Sequence, residues 1–355
     1  MARKRKLSKT GKRFFSVIGV IIVAVLAIII CLNLDTNKET PKSTENTTEK
    51  DEKPKVEEKL KILDLESDSR PYAVMINNIK TVWGYQSGIQ DAYLVYEIIV
   101  EGGYTRLMAL YKDKTLDRIG SVRSSRHYFL DYALENDAIY VHFGWSPQAQ
   151  SDMKTLGVNN INFMSYNGYT RDKSLGLASE HTAFTTTSNI MEGANYYGYR
   201  TTSDKKTILN YSVKSIDNSN IDGAVVANKV NIEFSASRST SFEYDSTNKV
   251  YNRFQNNIIH KDYVTGLQYT AKNIITYQVE NYTISGDNKG RQTIENIGSG
   301  SGWYITEGYA VPITWEKSSR SGKTIYKHKD GTEIKVNDGN TYIEIQPSGK
   351  NLTIE

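Results

Sequence analysis

Phe14 to Leu34 run without a charge and are mostly apolar, broken only by Ser16, Gly19 and Asn33. No other stretch limits the chain so strongly. As a helix it would be roughly 31 Å long, enough to cross the hydrocarbon core of a bilayer. Seven basic residues and no acidic one precede it (Arg3, Lys4, Arg5, Lys6, Lys9, Lys12 and Arg13). Such a flank holds the N-terminus in the cytoplasm, so everything after Asp35 is expected outside. No A-x-A pattern follows the run, which argues against a cleaved signal peptide. Cys31 is the only cysteine, and Ile28-Ile29-Ile30 precede it where a lipid-attachment site wants a small residue. The expectation is an uncleaved signal anchor, ahead of lipid attachment at Cys31. The chain carries +4 overall, and taking away the seven positive charges of the tail leaves the rest at −3. The basic balance therefore reports topology and is not a nucleic-acid footprint.

The composition divides the chain into a basic tail (1–13), the anchor (14–34), a linker (35–61) and a globular remainder. The linker mixes Lys, Glu, Asp, Thr, Pro and Asn with almost no apolar side chain, too little to offset chain entropy. About 290 residues remain, more than one core usually serves, and the reading divides them into domains at 62–205 and 206–355. No cysteine lies in either, so burial alone must hold them.

In the first part, Tyr72–Ile76, Tyr104–Tyr111 and Ala138–Phe143 read as strands. Ser124–Glu135, Pro147–Leu156 and Ser188–Tyr197 read as helices. Proline fits the first turn of the second helix. The second part reads almost entirely as strands. Ile274–Val279 is β-branched and aromatic, Ser301–Trp315 gives two strands around Glu307-Gly308, and Asp330-Gly331 and Asp338-Gly339 are hairpin signals. The expected fold is an α+β or α/β N-terminal domain followed by a mostly-β C-terminal domain, after the N-terminal transmembrane helix.

Chemistry concentrates between Glu97 and His181. Arg123 and Arg126 stand three apart; with a helix starting near Ser124 and capped by a serine, they would flank an anion site. Arg106 would add charge. Glu97 and Glu101 are four apart. On a helix they would sit about 6 Å apart, near the separation of a retaining glycosidase, but the β-branched run between them favours a strand. His142 and His181 are candidates for positioning a ligand. No H-x-x-x-H or similar spacing supports a metal, and no cofactor is implied. Cys31 lies at the membrane, which removes cysteine nucleophile chemistry. The S-x-x-K matches at Ser151–Lys154 and Ser203–Lys206 lack a K-T-G, and Lys317 stands where a phosphate loop before Gly322-Lys323-Thr324 needs glycine. The 25 tyrosines are read first as core and cross-strand packing, with sugar stacking second.

The order of several of these segments resembles the YerB-like lipoprotein family, a bacterial family of unknown function. In the first part the segments are RPYAVMINN, SGIQDAYLVYEIIVEGGYTRLMALY, GSVRSSRHYF, VHFG and SEHT; in the second they are NIITYQVE, GSGSGWYITEGYAVPITWEK and TYIEIQP. The resemblance implies a domain plan with a separate C-terminal β domain and an envelope location, without an activity. The expectation is a membrane-tethered envelope protein that binds an anionic or glycan cell-wall ligand through Arg106, Arg123, Arg126, Glu97, Glu101, His142 and His181. The alternatives are a cell-wall hydrolase using Glu101 or His142 as general base, and an envelope scaffold.

Overall fold

A central sheet crosses the boundary that the sequence reading draws between residues 205 and 206. In this computed structural model, which describes residues 59–355, eleven strands join in it. The expected cytoplasmic tail, the Phe14–Leu34 span, Cys31 and nearly all of the linker lie outside the described residues. Among those described, no helix is long and apolar enough to cross a membrane.

The sheet's middle is built from Thr341–Pro347, a strand buried along its whole length. It runs parallel to Leu94–Ile99 on one side and to Asn273–Val279 on the other. Beyond Leu94–Ile99 the order continues through Thr105–Tyr111, Tyr72–Asn77, Ile139–His142 and Asn160–Asn162. Beyond Asn273–Val279 it continues through Gly298–Thr306 and Tyr309–Lys317. A strand from near the end of the second half therefore lies between the two halves. Each face of the sheet carries a core drawn from both: Tyr96, Phe129, Ile275 and Ile343 on one, and Val95, Leu107, Phe234 and Tyr342 on the other. The cores are thus shared between the two parts of the chain. Tyr-Ile-Glu-Ile at 342–345 can be buried on both faces only inside a sheet, and the neighbours that cover it come from both halves.

A second sheet, of six strands, includes Lys229–Ser235, Arg238–Asp245, Val250–Gln255 and Leu352–Ile354. Val230, Ile232 and Phe234 alternate inward, and Phe242 meets Tyr342 of the central sheet with ring centroids 5.7 Å apart. The fold is thus mostly β, as expected of its second half.

Three helices follow the sequence reading: His127–Glu135, Pro147–Thr155 and Thr187–Tyr196. Ser146 caps the second, accepting from Ala149 N at 3.2 Å, with Pro147 in its first turn. The first begins three residues later than expected. Ser124 does not cap it; Arg126 holds the cap position without a side-chain hydrogen bond. The preceding backbone is extended instead, with Ser125 N donating to the Gly144 carbonyl. Asp338-Gly339 also departs from expectation. It closes no hairpin, because Lys335–Asn337 pairs in parallel with Asn210–Ser212.

Candidate functional site

Leu94–Ile99 and Thr105–Tyr111 are antiparallel neighbours joined by the Glu101–Gly103 turn. Gly102 and Gly103 make that reversal with φ of 66° and 72°, a region that L side chains rarely enter. A Cβ on Gly103 would also stand 2.8 Å from Ser235 Oγ. In the register, Ile98 lies opposite Arg106 and Ile99 opposite Thr105. With a period of two, Glu97 and Thr105 take one face of the sheet while Arg106 takes the other.

On the Arg106 face is a cavity of about 790 Å³. It gathers Arg106, Arg123, Arg126, Glu101 and His181, five of the seven residues expected at a site. Asn77, Tyr104, Trp145 and Glu180 add to its wall, as do Lys289 and Arg291. The last two come from the loop between Asn281–Thr283 and Gln292–Ile294, strands that pair with each other. Thr293 Oγ1 lies 3.0 Å from His127 Nε2, which ties that hairpin to the first helix. Nothing in the local sequence marks Lys289 and Arg291, since two basic residues at a hairpin tip ordinarily face solvent.

Five cationic side chains therefore share the cavity with two carboxylates. Glu101 is bound by Arg126 through Nε at 2.8 Å and through Nη2, and Arg291 Nε stands 4.0 Å away. Arg123 donates to the Glu180 carbonyl at 2.9 Å and to its carboxylate at 3.0 Å. Arg106 is different. It is 8 % exposed, donates to the Ser124 carbonyl at 2.5 Å, and has no carboxylate within salt-bridge reach among the described residues. Burial first, and then the charge of Arg126, push its pKa down to about 9. A guanidinium does not give up its proton in a protein, so the site holds a desolvated positive charge whose acidic neighbour, Glu101, is bonded to Arg126 instead.

Both carboxylates of the cavity stay ionised. Burial pushes Glu101 up, but the hydrogen bond and charge of Arg126 outweigh it and hold the group below its ordinary value. Arg123 does the same for Glu180, mainly through its hydrogen bond. Glycoside hydrolysis by paired acids needs one carboxyl kept protonated, and this pair is set for the opposite. His181 has its pKa lowered by burial and by Arg123, against a smaller pull from Glu180. Its Nδ1 lies 3.0 Å from Asn77 Nδ2 and so accepts from it. The ring thus presents a neutral edge to the cavity.

Glu97 and His142 are elsewhere. Glu97 is fully buried on the other face, bonded to Thr105 at 2.5 Å, Asn78 at 3.1 Å, Arg238 at 2.6 Å and Thr240 at 2.9 Å, and paired with Arg253. Its oxygens are occupied, and it cannot reach a ligand in the cavity. His142 is fully buried behind Trp145, with ring centroids 5.7 Å apart. Burial lowers its pKa to about 4, so the ring is neutral. Its nitrogens meet the Gly144 carbonyl at 2.8 Å and the Asn160 amide at 3.0 Å. Asn160 Nδ2 donates to the Val158 carbonyl at 3.1 Å, which leaves its Oδ1 facing the ring, and a neutral ring donates to only one of these two acceptors. His142 is a packed structural imidazole, which removes it as a general base.

Residues 60–200 match the N-terminal domain of a protein of unknown function, DUF3048, and residues 230–343 match the C-terminal domain of the same family. The chain belongs to this DUF3048 family. A relative within it is YerB of Bacillus subtilis (strain 168), a protein whose name assigns it provisionally to the lipoproteins. It is 26% identical over 284 residues, covering 79% of this chain and 82% of the relative. The crystal structure of the YerB protein from Bacillus subtilis superposes with a TM-score of 0.70 at 24% identity, covering 83% of this chain and 99% of that one. The fold is thus shared over most of the chain. The cavity straddles both matched regions, with Arg106, Arg123 and Arg126 in the first and Lys289 and Arg291 in the second.

Proposed function

We propose that this chain is a membrane-tethered protein of the cell envelope whose cavity at Arg106, Arg123 and Arg126 binds an anionic ligand. The observation that carries this reading is Arg106, a buried cation with no carboxylate in salt-bridge contact among the described residues, in a cavity where cations outnumber acids. An anion with two or more oxygens would take guanidinium donors in pairs, as phosphate and carboxylate do. Arg123 and Arg126 are already neutralised by Glu180 and Glu101, so the ligand competes with those acids for the same donors. The affinity is therefore set by exchange of partners, and falls with salt.

The envelope location rests on the basic tail before the uncharged Phe14–Leu34 run and on the name of the relative. That name favours lipid attachment at Cys31, against the signal-anchor reading. Labelling with a radioactive fatty acid separates the two: incorporation that Cys31→Ser abolishes means a lipid anchor, and none means the helix.

Calorimetric titration of the full-length chain in detergent with inorganic phosphate tests the anion site. Saturable binding that weakens as salt rises is expected. No binding at low salt would overturn the reading.

A further inference from the structure

Trp145 belongs to two cavities. Besides the cationic one, it lines a second space of about 550 Å³ with Asn160, Asn162, Tyr197 and Tyr199. The chemistry changes across the indole. No carboxylate lines the second cavity, and its single charged side chain is Lys154. Amides and aromatic rings make up much of the remainder.

Asn162 is the telling residue. It is 4 % exposed, and its Oδ1 accepts from Gly144 N at 3.0 Å and from Met164 N at 3.1 Å. Those two backbone donors fix which end of the amide is oxygen. The nitrogen is left over: Nδ2 is buried and has no hydrogen-bond partner. Buried amide donors are ordinarily satisfied, so an unmatched one in a cavity wall marks a place for an acceptor. Tyr197 and Tyr199 stack beside it with centroids 5.6 Å apart. Tyr199 is fixed by its hydroxyl, which donates to the Asn160 carbonyl at 3.0 Å. A preformed wall of aromatic faces with a few oriented amides suits a flat, uncharged, hydroxyl-bearing ring.

We propose that this second cavity is a subsite for a neutral pyranose ring, so that the two cavities on either side of Trp145 hold the neutral and the anionic parts of one acidic glycan. The joint occupancy rests on the anion reading above; the sugar subsite stands on Asn162, Tyr197 and Tyr199 alone. In it an acetamido carbonyl or a ring hydroxyl accepts from Asn162 Nδ2, while a sugar face lies on Trp145 or Tyr197.

The probe is chitotriose, a neutral N-acetylated trisaccharide, titrated calorimetrically into the full-length chain in detergent. Saturable binding is expected. Asn162→Asp keeps the acceptor for both backbone donors and puts a carboxyl oxygen where the leftover N–H stood, and should weaken binding about tenfold. Tyr197→Ala, a second variant at a half-exposed position, should do the same while melting close to the parent. No binding of chitotriose, or binding that neither variant changes, would overturn the subsite. Inorganic phosphate is titrated in parallel. Phosphate binding without chitotriose binding sinks this inference and leaves the anion site, whereas the reverse sinks the anion site and leaves the sugar subsite.

Discussion

Around Glu97 and around Arg106, arginines and glutamates gather on opposite faces of the same pair of strands, and they end in opposite states. The Glu97 cluster is closed. Its carboxylate answers Arg238 and Arg253 at once, Thr105 and Thr240 fill the remaining positions, and none of these groups reaches water. The Arg106 cluster is open, with more cations than acids and a cavity between them. Charge alone therefore does not mark a site in this fold. What marks it is charge left unanswered beside a space where a ligand fits.

The closed cluster gives the largest predicted effect. Glu344 lies next to Glu97 on the neighbouring strand, buried, with neither oxygen hydrogen-bonded to a donor. Burial and the adjacent Glu97 raise its pKa well above the ordinary range, while Arg238 and Arg253 hold Glu97 below it. Replacing both glutamates with glutamine leaves two buried arginines without a counter-charge and should cost about 3–5 kcal/mol in urea unfolding. Glu97→Gln alone should cost clearly less, because Glu344 then ionises in its place. Equal losses for the single and the double variant would show that the pair is not coupled.

The pH dependence has a definite sign. Glu344 is protonated in the fold at pH values where it is ionised in the unfolded chain. Its contribution is full below about pH 4.3 and is lost as pH rises toward its folded pKa. Glu344→Gln removes that loss, so the variant should be more stable than the parent at pH 7, with the gain shrinking toward pH 4.5. Melting curves at the two pH values check it; a gain that grows on acidification would mean that Glu344 is ionised in the fold. Glu97 runs the other way. Its stabilisation is present above the unfolded carboxylate pKa and disappears only in stronger acid.

On the open side, changes in stability should be small and changes in affinity larger. Arg106→Gln should weaken phosphate binding at least tenfold, about 1.4 kcal/mol, and lower the melting temperature little, since one hydrogen bond to Ser124 is all that is removed. A large fall in melting temperature with unchanged affinity would move Arg106 into the closed class.

Much of the open cluster was legible in the sequence, because Arg106, Arg123, Arg126, Glu101 and His181 all lie within the dense Glu97–His181 block. Glu97 and His142 lie in the same block but outside the cavity, Glu97 because it takes the opposite face of the sheet and His142 because Trp145 and Asn160 cover it on the Arg106 face. On strands, side chains a few residues apart divide between two faces, and sequence spacing does not say which face is covered. The second sheet covers the Glu97 face, with Arg238 and Arg253 more than 140 positions away. Lys289 and Arg291 were equally hidden, since they reach the cavity through a hairpin tied to the first helix. The strands expected at 72–76, 104–111 and 274–279 from their β-branched and apolar runs fall within one residue of those at 72–77, 105–111 and 273–279. The sharing of one sheet by both halves was not, because pairing partners far apart in sequence leave no periodic trace.

The central claim is that the cavity binds an anion through guanidinium donors its own acids already hold, and Glu101→Gln tests it most directly. The substitution removes the charge that competes for Arg126 while keeping an acceptor for its N–H groups. Calorimetric titration with inorganic phosphate should show Glu101→Gln binding severalfold more tightly than the parent. Weaker or unchanged binding would contradict the account, because Glu101 would then be serving the structure of the site instead of competing with its ligand.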